Sequence, residues 1–295
     1  MVKKIIKSLL GLSMVAVVSL SLTGCGGNSE QVSEQVSEQV TVVTREDGSG
    51  TRGAFVEIVD ITADGNDNIA TEAVVAPGTS VMMTNVAENP LSIGYASTGV
   101  ALNDDRVKVL AIDGVMPTVE NMLNGTYAIQ RPFIIGYNTD EGLNPIAQDF
   151  IDFILSAQGQ EVIASRGYVP FIPQDAPQYA ASGMSGAIVV NGSSSVYSLM
   201  GHLREAYIAL NPNVQIDIHG AGTGHGIGAV RDGLADIAMS SRDFRDSELE
   251  FLSPLTIAID GIAVIVHPSN ETTGLTLAQV RNVFLGEVEE WEQLR

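Results

Sequence analysis

The sequence predicts an α/β fold of two lobes, each built on a doubly wound sheet. Three observations predict it. From residue 41 onward, short β-branched runs alternate with segments of helical apolar spacing. The 295 residues, less an N-terminal 24, leave 271, which at roughly 150 residues per domain favours two lobes. Three junctions repeat the order strand, Gly/Ser/Thr-rich turn, helix, the arrangement that places ligands beyond the carboxyl ends of strands.

Residues 1–24 carry Lys3, Lys4 and Lys7, an apolar run from Ile5 to Leu22, and small residues leading into Cys25, the sole cysteine. This is the layout of an export signal cleaved before an acylated cysteine, with an uncleaved anchor as the alternative. Acylated Cys25 would hold the protein to the lipid bilayer on the extracytoplasmic face of the cell membrane. With no second cysteine the exported part has no disulfide. The repeat "SEQVSEQVSEQV" (29–40) has too few apolar groups for a core, so 25–40 reads as a flexible tether.

Then "TVVT" (41–44) reads as strand, "RGAFVEIVD" (52–60) as helix, and "SIGYAS" and "VKVLAID" as strands. Residues 144–167 have the spacing of one or two helices closed by Gly167. Residues 170–186 hold three prolines and two glycines and read as a linker. "AIVVNG" is strand, "SSSVYSLMGHLREAYIAL" helix, "VQIDIHG" strand, "GHGIGAVRDG" helix, "ADIAMSS" strand, "IAIDGIAVIVHP" a longer strand, and "TLAQVRNVFLGEVEEWEQLR" helical.

The charge narrows the function. Fifteen basic residues, less the three lysines of 1–24, leave 12 against 35 acidic ones, a formal −23. Such a balance argues against nucleic acid as a partner. Any anion must therefore be held by local groups. The turns offer them: each puts backbone N–H groups and a hydroxyl at a helix N-terminus, where the dipole favours negative charge. Ser and Thr are also ordinary N-caps, so one such turn means little; three together point to an anion site. Arg45 is the one side chain of these turns able to fork onto an oxyanion. Asp47 would orient it, an ion pair between the two being the plain alternative, while Glu46 faces water. Arg242 is a second cationic candidate, with an ion pair to Asp243 or Asp246 as its alternative. His225 lies in a glycine turn and could approach a ligand. Trp291 reads as core or interface.

Nothing indicates catalysis. No nucleophile elbow, metalloprotease motif or P-loop occurs. Four scattered histidines without clustered carboxylates make no metal site, and no cofactor is implied.

The stretches "TREDGSGTRGAF", "GSSSV", "NPNVQIDIHGAGTGHGI", "DGLADIAMSSRDF", "AIDGIAVIVHPSN", "LTLAQVRNVFLGEVEEW" and "FIDFILSAQGQEVIASRGYVP" resemble the substrate-binding lipoproteins of phosphate ABC transporters, the PstS-like phosphate-binding proteins. The resemblance covers nearly everything from Thr41 to Arg295. It implies a two-lobed periplasmic-binding-protein (type II) fold, inorganic phosphate as ligand and a membrane permease as partner. By motif position it puts phosphate contacts on Arg45, Ser49, Gly50, Thr51, Ser194, Ser195 and Thr223. At Ser241 the family often has an aspartate that accepts a proton from the ligand, so its usual exclusion of sulfate is in doubt here.

The order of the halves departs from the family, in which the "GSSSV" half precedes the "TREDGSGT" half. Here 41–172 come first and 187–295 follow, as in a circular permutant joined through 173–186; a gene fragment and a swapped dimer are the alternatives. The two copies of "AIDG", at 111–114 and 258–261, suggest crossings between lobes. One lobe would be 41–110 plus 262–295, and the other 111–261. Two other functions stay open: a degenerate surface protein left by rearrangement, and an exported phosphate-ester hydrolase.

Overall fold

The computed structural model of the chain describes residues 38–63, 66–140, 142–171 and 176–295. The expected signal segment, Cys25 and most of the tether lie outside these residues. The last three tether residues do not: the Val40 N–H donates to the Glu289 carbonyl at 2.7 Å, Gln39 bridges Glu290, and the Trp291 N–H donates to the Glu38 carbonyl at 3.1 Å. Glu38 also pairs with Arg295 at 2.7 Å. The packed body therefore starts before residue 41.

The first lobe opens with β1 (Thr41–Arg45), α1 (Gly50–Ile58), β2 (Val74–Ala76), α2 (Thr79–Glu88) and β3 (Ser92–Ser97). β1 runs parallel to β2 on one side (Thr44↔Val75) and to β3 on the other (Val42↔Ile93). Ser49 caps α1 by accepting the Arg52 N–H, as a Ser N-cap does for about 1 kcal/mol. α1 buries Ala54, Phe55 and Val56, and the Phe55 ring stacks on Tyr95 at 4.0 Å. α2 buries Met82, Met83 and Val86 against the same sheet.

The second lobe comprises β4 (Gln130–Asn138), α3 (Pro145–Ile154), α4 (Ala157–Ser165), β5 (Gly186–Gly192), α5 (Ser194–Leu210), β6 (Val214–His219), α6 (Thr223–Arg231), β7 (Ile237–Ser240) and the first part of β8 (Leu252–Val266). Its strand order is β6-β5-β7-β4-β8. The βαβ pairings β5–β6 and β5–β7 are parallel, whereas β4 runs antiparallel to both β7 and β8. The sheets are thus mixed, because β4 carries the chain into this lobe and β8 carries it out. From Leu252 to Gly261, β8 pairs with β4; from Ile262 to Val266 it pairs with β3 of the first lobe. One strand belongs to both sheets, and α7 (Leu277–Leu285) then completes the first lobe.

The entry crossing differs from the expectation at 111–114. Leu110, Ile112, Met122, Tyr127 and Ile129 all lie in the core of the first lobe, and the second core begins at Phe133. The passage is therefore at 129–131. The first "AIDG" is a turn, with Asp113 and Gly114 at φ 49° and 78°, after a two-residue strand paired with Gly274–Leu275. The second "AIDG" lies inside β8. Identical letters serve different structures because their neighbours differ. Of the linker, the described residues 176–186 lie along the second lobe. The Ala157 N–H donates to the Pro177 carbonyl at 2.9 Å, and the Tyr179 hydroxyl donates to Asp149 at 2.7 Å.

Candidate functional site

Four helices, two from each lobe, point their N-termini at one place. α1 and α5 are capped by serines, Ser49 and Ser193; α2 and α6 are capped by Gly78 and Gly222, at φ 99° and 105°. At those two positions a side chain would be strained. Each N-terminus presents N–H groups and about half a positive charge. Their convergence gives an acidic protein a local positive field.

The first residues of these helices meet across the cleft. Thr51 Oγ1 lies 2.8 Å from Ser195 Oγ and 3.5 Å from Ser241 Oγ. Thr79 Oγ1 lies 3.2 Å from Ser194 Oγ and 3.3 Å from Ser195 Oγ. The Ser193 hydroxyl donates to Ser241 Oγ at 2.8 Å, and the Ser241 N–H donates to Thr223 Oγ1 at 3.4 Å. Thr51, Thr79, Ser193, Ser195, Thr223 and Ser241 are all buried, with Ser194 half-buried. Hydroxyls so placed can donate to an oxyanion and accept from a protonated one. Gly50 must be glycine: a Cβ there would come 2.4 Å from Thr223 Oγ1 and 2.8 Å from Ser241 Oγ. The Gly224 N–H also donates to the Gly48 carbonyl at 3.1 Å, a direct bond between the lobes.

Arg45 is 2% exposed, at the end of β1. Its Nη2 donates to Ser194 Oγ at 2.9 Å and its Nη1 to Thr79 Oγ1 at 3.4 Å. The Tyr95 hydroxyl, 2.8 Å from Thr44 Oγ1, accepts the Arg45 N–H at 3.1 Å and fixes the backbone behind it. Burial pushes the Tyr95 hydroxyl up to about 12, so it stays protonated.

The partner of Arg45 is not Asp47. Glu46 forks onto it, with Nε to Oε2 at 2.8 Å and Nη2 to Oε1 at 2.7 Å, and Glu46 Oε2 also accepts the Gly78 N–H at 3.0 Å. Asp47 is fully exposed and pairs with Arg52 at 3.2 Å. The turn after β1 reverses the alternation that would put Glu46 outward. Burial pushes the Glu46 carboxyl up, but the Arg45 hydrogen bond and charge and the Gly78 N–H outweigh it and hold it below its ordinary value.

Of the sequence-derived candidates, Arg45, Ser49, Gly50, Thr51, Ser194, Ser195, Thr223 and Ser241 come together here, Ser49 as the cap of α1. Arg242 does not: it forks onto Glu248 at 2.8 Å through both Nη atoms. His225 is exposed beyond the α6 cap. Trp291 is core, its Nε1–H donating to the Leu91 carbonyl at 2.9 Å. Sequence reasoning missed Thr79 and Ser193, although "APGTS" carries the same turn-then-hydroxyl signal as the other three junctions. It also missed Arg131, which is buried on β4 and pairs with Asp260 of β8 at 3.1 Å. Among the described residues no group of three or more His, Cys, Asp or Glu could hold a metal, and no helix is long and apolar enough to cross a membrane.

A family model described as the PBP superfamily domain matches residues 30–158 and 177–295. The chain is also 40% identical over 294 residues to the Phosphate-binding protein PstS 2 of Streptococcus agalactiae, covering 96% of this chain and 97% of that one. The chain belongs to the PBP superfamily, among the PstS-type proteins. The crystal structure of a phosphate ABC transporter phosphate-binding protein from Streptococcus pneumoniae superposes with a TM-score of 0.68. It is 40% identical and covers 87% of this chain and all of that one. The Phosphate-binding protein PstS of Bacillus subtilis is 32% identical over 132 residues, which is 44% of this chain and 41% of its own length. PstS-type membership accounts for the two-lobed frame.

Proposed function

We propose that this protein is an extracytoplasmic receptor that captures inorganic phosphate between its lobes and presents it to the permease of an ABC importer. The observation that carries the reading is the meeting of Arg45 with buried hydroxyls from four helix N-termini, two from each lobe. A tetrahedral oxyanion suits such a ring: its oxygens would replace the pairings the hydroxyls now make with one another. At roughly 1.5–3 kcal/mol per charge-assisted hydrogen bond, a handful exceeds the roughly 8 kcal/mol of a micromolar complex. Desolvation and closure consume the remainder. The PstS names of its relatives support the same ligand. The proposed anchor is an acylated Cys25. The arrangement offers binding groups and no activated nucleophile, so capture without turnover is expected.

We also infer that the halves are circularly permuted relative to PstS chains such as that of Bacillus subtilis, in an order shared with PstS 2 of Streptococcus agalactiae. Two observations support it. The PstS 2 relative matches over 97% of its length, while the Bacillus subtilis PstS matches over 41%, as expected if one collinear alignment can take in only one half. And residues 38–40 pair with 289–291 and 295, side by side where an unpermuted chain would run straight on.

Calorimetric titration of the chain from residue 26 with phosphate and sulfate tests the ligand. Micromolar or tighter phosphate binding is expected, with sulfate competing rather than being excluded, since the Ser241 hydroxyl offers a lone pair and a donor where a carboxylate would repel a fully deprotonated anion. No heat with either anion would sink the reading, and turnover of a chromogenic phosphate ester would replace it with hydrolysis.

A further inference from the structure

We propose, resting on the phosphate reading of the cleft, that Arg131 supplies a second positive charge to the bound anion from beneath the cleft floor, and that Asp260 positions it there. Arg131 and Asp260 face each other in register across β4 and β8, where both strands pass between lobes. Their side chains are 1% and 0% exposed.

The pairing is lopsided. Asp260 Oδ1 accepts the hydroxyls of Ser97 and Thr98, each at 2.9 Å, so only Oδ2 is left for Arg131, which reaches it through Nη2 alone at 3.1 Å. Arg131 Nη1 donates to the Ser241 carbonyl at 3.4 Å, and Nε is buried with no partner among the described residues. The guanidinium lies over the Phe133 ring, 5.4 Å from its centre. Ser241 turns its other side to the site, its hydroxyl 2.8 Å from Ser193 Oγ and 3.5 Å from Thr51 Oγ1. One residue therefore separates this cation from the anion-binding hydroxyls.

The contrast with Arg45 is informative. Arg45 is forked by Glu46, with two hydrogen bonds to one carboxylate, which leaves the contacting cation nearly neutralised. Arg131 has one bond to a carboxylate whose other oxygen is already occupied. Its charge is the less compensated of the two, and in a dry interior charge acts at a distance. Stability gives little reason to keep such a pair, because apolar residues of similar volume often serve a core as well or better. Arg131 thus strengthens binding of the anion through its charge rather than by contact, with Asp260 as its positioning residue.

The test is phosphate and sulfate affinity of the full chain in detergent, for wild type, R131M, R131K, D260N and the double variant R131M/D260N, with melting temperatures taken without ligand. R131M is expected to weaken both anions by roughly tenfold, and R131K to restore most of that loss. D260N, which leaves the cation unopposed, is expected to move affinity the other way. The double variant, free of an unpaired buried charge, keeps its melting temperature yet binds more weakly than wild type. R131M and D260N shifting affinity in the same direction by the same factor, or the double variant binding like wild type, would overturn the proposal while the phosphate reading stands. A wild-type chain that binds neither anion would overturn both.

Discussion

Thr51 and Ser195 meet at 2.8 Å across the cleft although 144 residues separate them in the chain. Each sits in the first turn of a helix, one in each lobe. Thr51→Val and Ser195→Ala are each expected to weaken phosphate binding by about tenfold, the scale of one charge-assisted hydrogen bond. Because the two hydroxyls bond each other, the double variant should lose less than the product of the two, which a double-mutant cycle by calorimetry will read. Additive losses would mean that the two hydroxyls serve separate ligand atoms without coupling.

Glu46 and Asp47 are neighbours with unlike duties. Glu46→Gln removes the negative charge and one of the two oxygens that fork Arg45, while its remaining carbonyl oxygen can still accept the Gly78 N–H, so phosphate affinity should change severalfold; Asp47→Asn, at a fully exposed position, should leave it unchanged. The pH behaviour follows from the sign of the shift. The Glu46 carboxyl is held below its ordinary 4.5, so its stabilising contribution is full above that value and is lost as pH falls through the folded-state value. Thermal melting across the acid range should show a shallower decline in Glu46→Gln than in wild type. Identical acid limbs would contradict the role given to the pair.

Gly50→Ala should disable closure more than folding. A methyl there would meet Thr223 and Ser241 of the opposite lobe. Overpacking of this kind costs about 1–3 kcal/mol, or roughly a tenfold to hundredfold loss of affinity. The strain arises only when the lobes meet, so the ligand-free melting temperature should hold while phosphate no longer raises it. A fall in the ligand-free melting temperature matching the loss in affinity would count against this view.

The order of the halves can be tested by relinking. A chain running from 176 to 295, through a short glycine-rich link into 38–171, should fold and bind phosphate within a few fold of wild type, because residues 38–40 already lie against 289–295 and residues 176–186 keep their bonds to the second lobe. Loss of folding, judged by circular dichroism and melting, would show that the present order is needed.

The parts of the fold visible in sequence were those with one dominant local signal. One or two helices over 144–167, closed by Gly167, were expected from apolar spacing and the glycine, and the structure has two, with Gly167 at φ 81°. β4 was hidden, since Pro132 in its interior argues against a central strand; it is tolerated beside the hinge, opposite Ile259. α2 was hidden by its β-branched Thr and Val residues, which packing on the sheet overrides. In the site, Arg45 and the Ser/Thr caps could be read from residue type and turn position. Glu46 against Asp47 could not, because which neighbour turns inward depends on backbone angles after β1. Nor could the meeting of Arg131 and Asp260, which arises from the register of two strands 129 residues apart.

The central claim is that Arg45 and the converging helix ends hold phosphate. Calorimetric titration of wild type beside Arg45→Ala tests it most directly. Micromolar or tighter binding by wild type, weakened at least about tenfold by the substitution, is predicted. Equal affinity in the two proteins would contradict it.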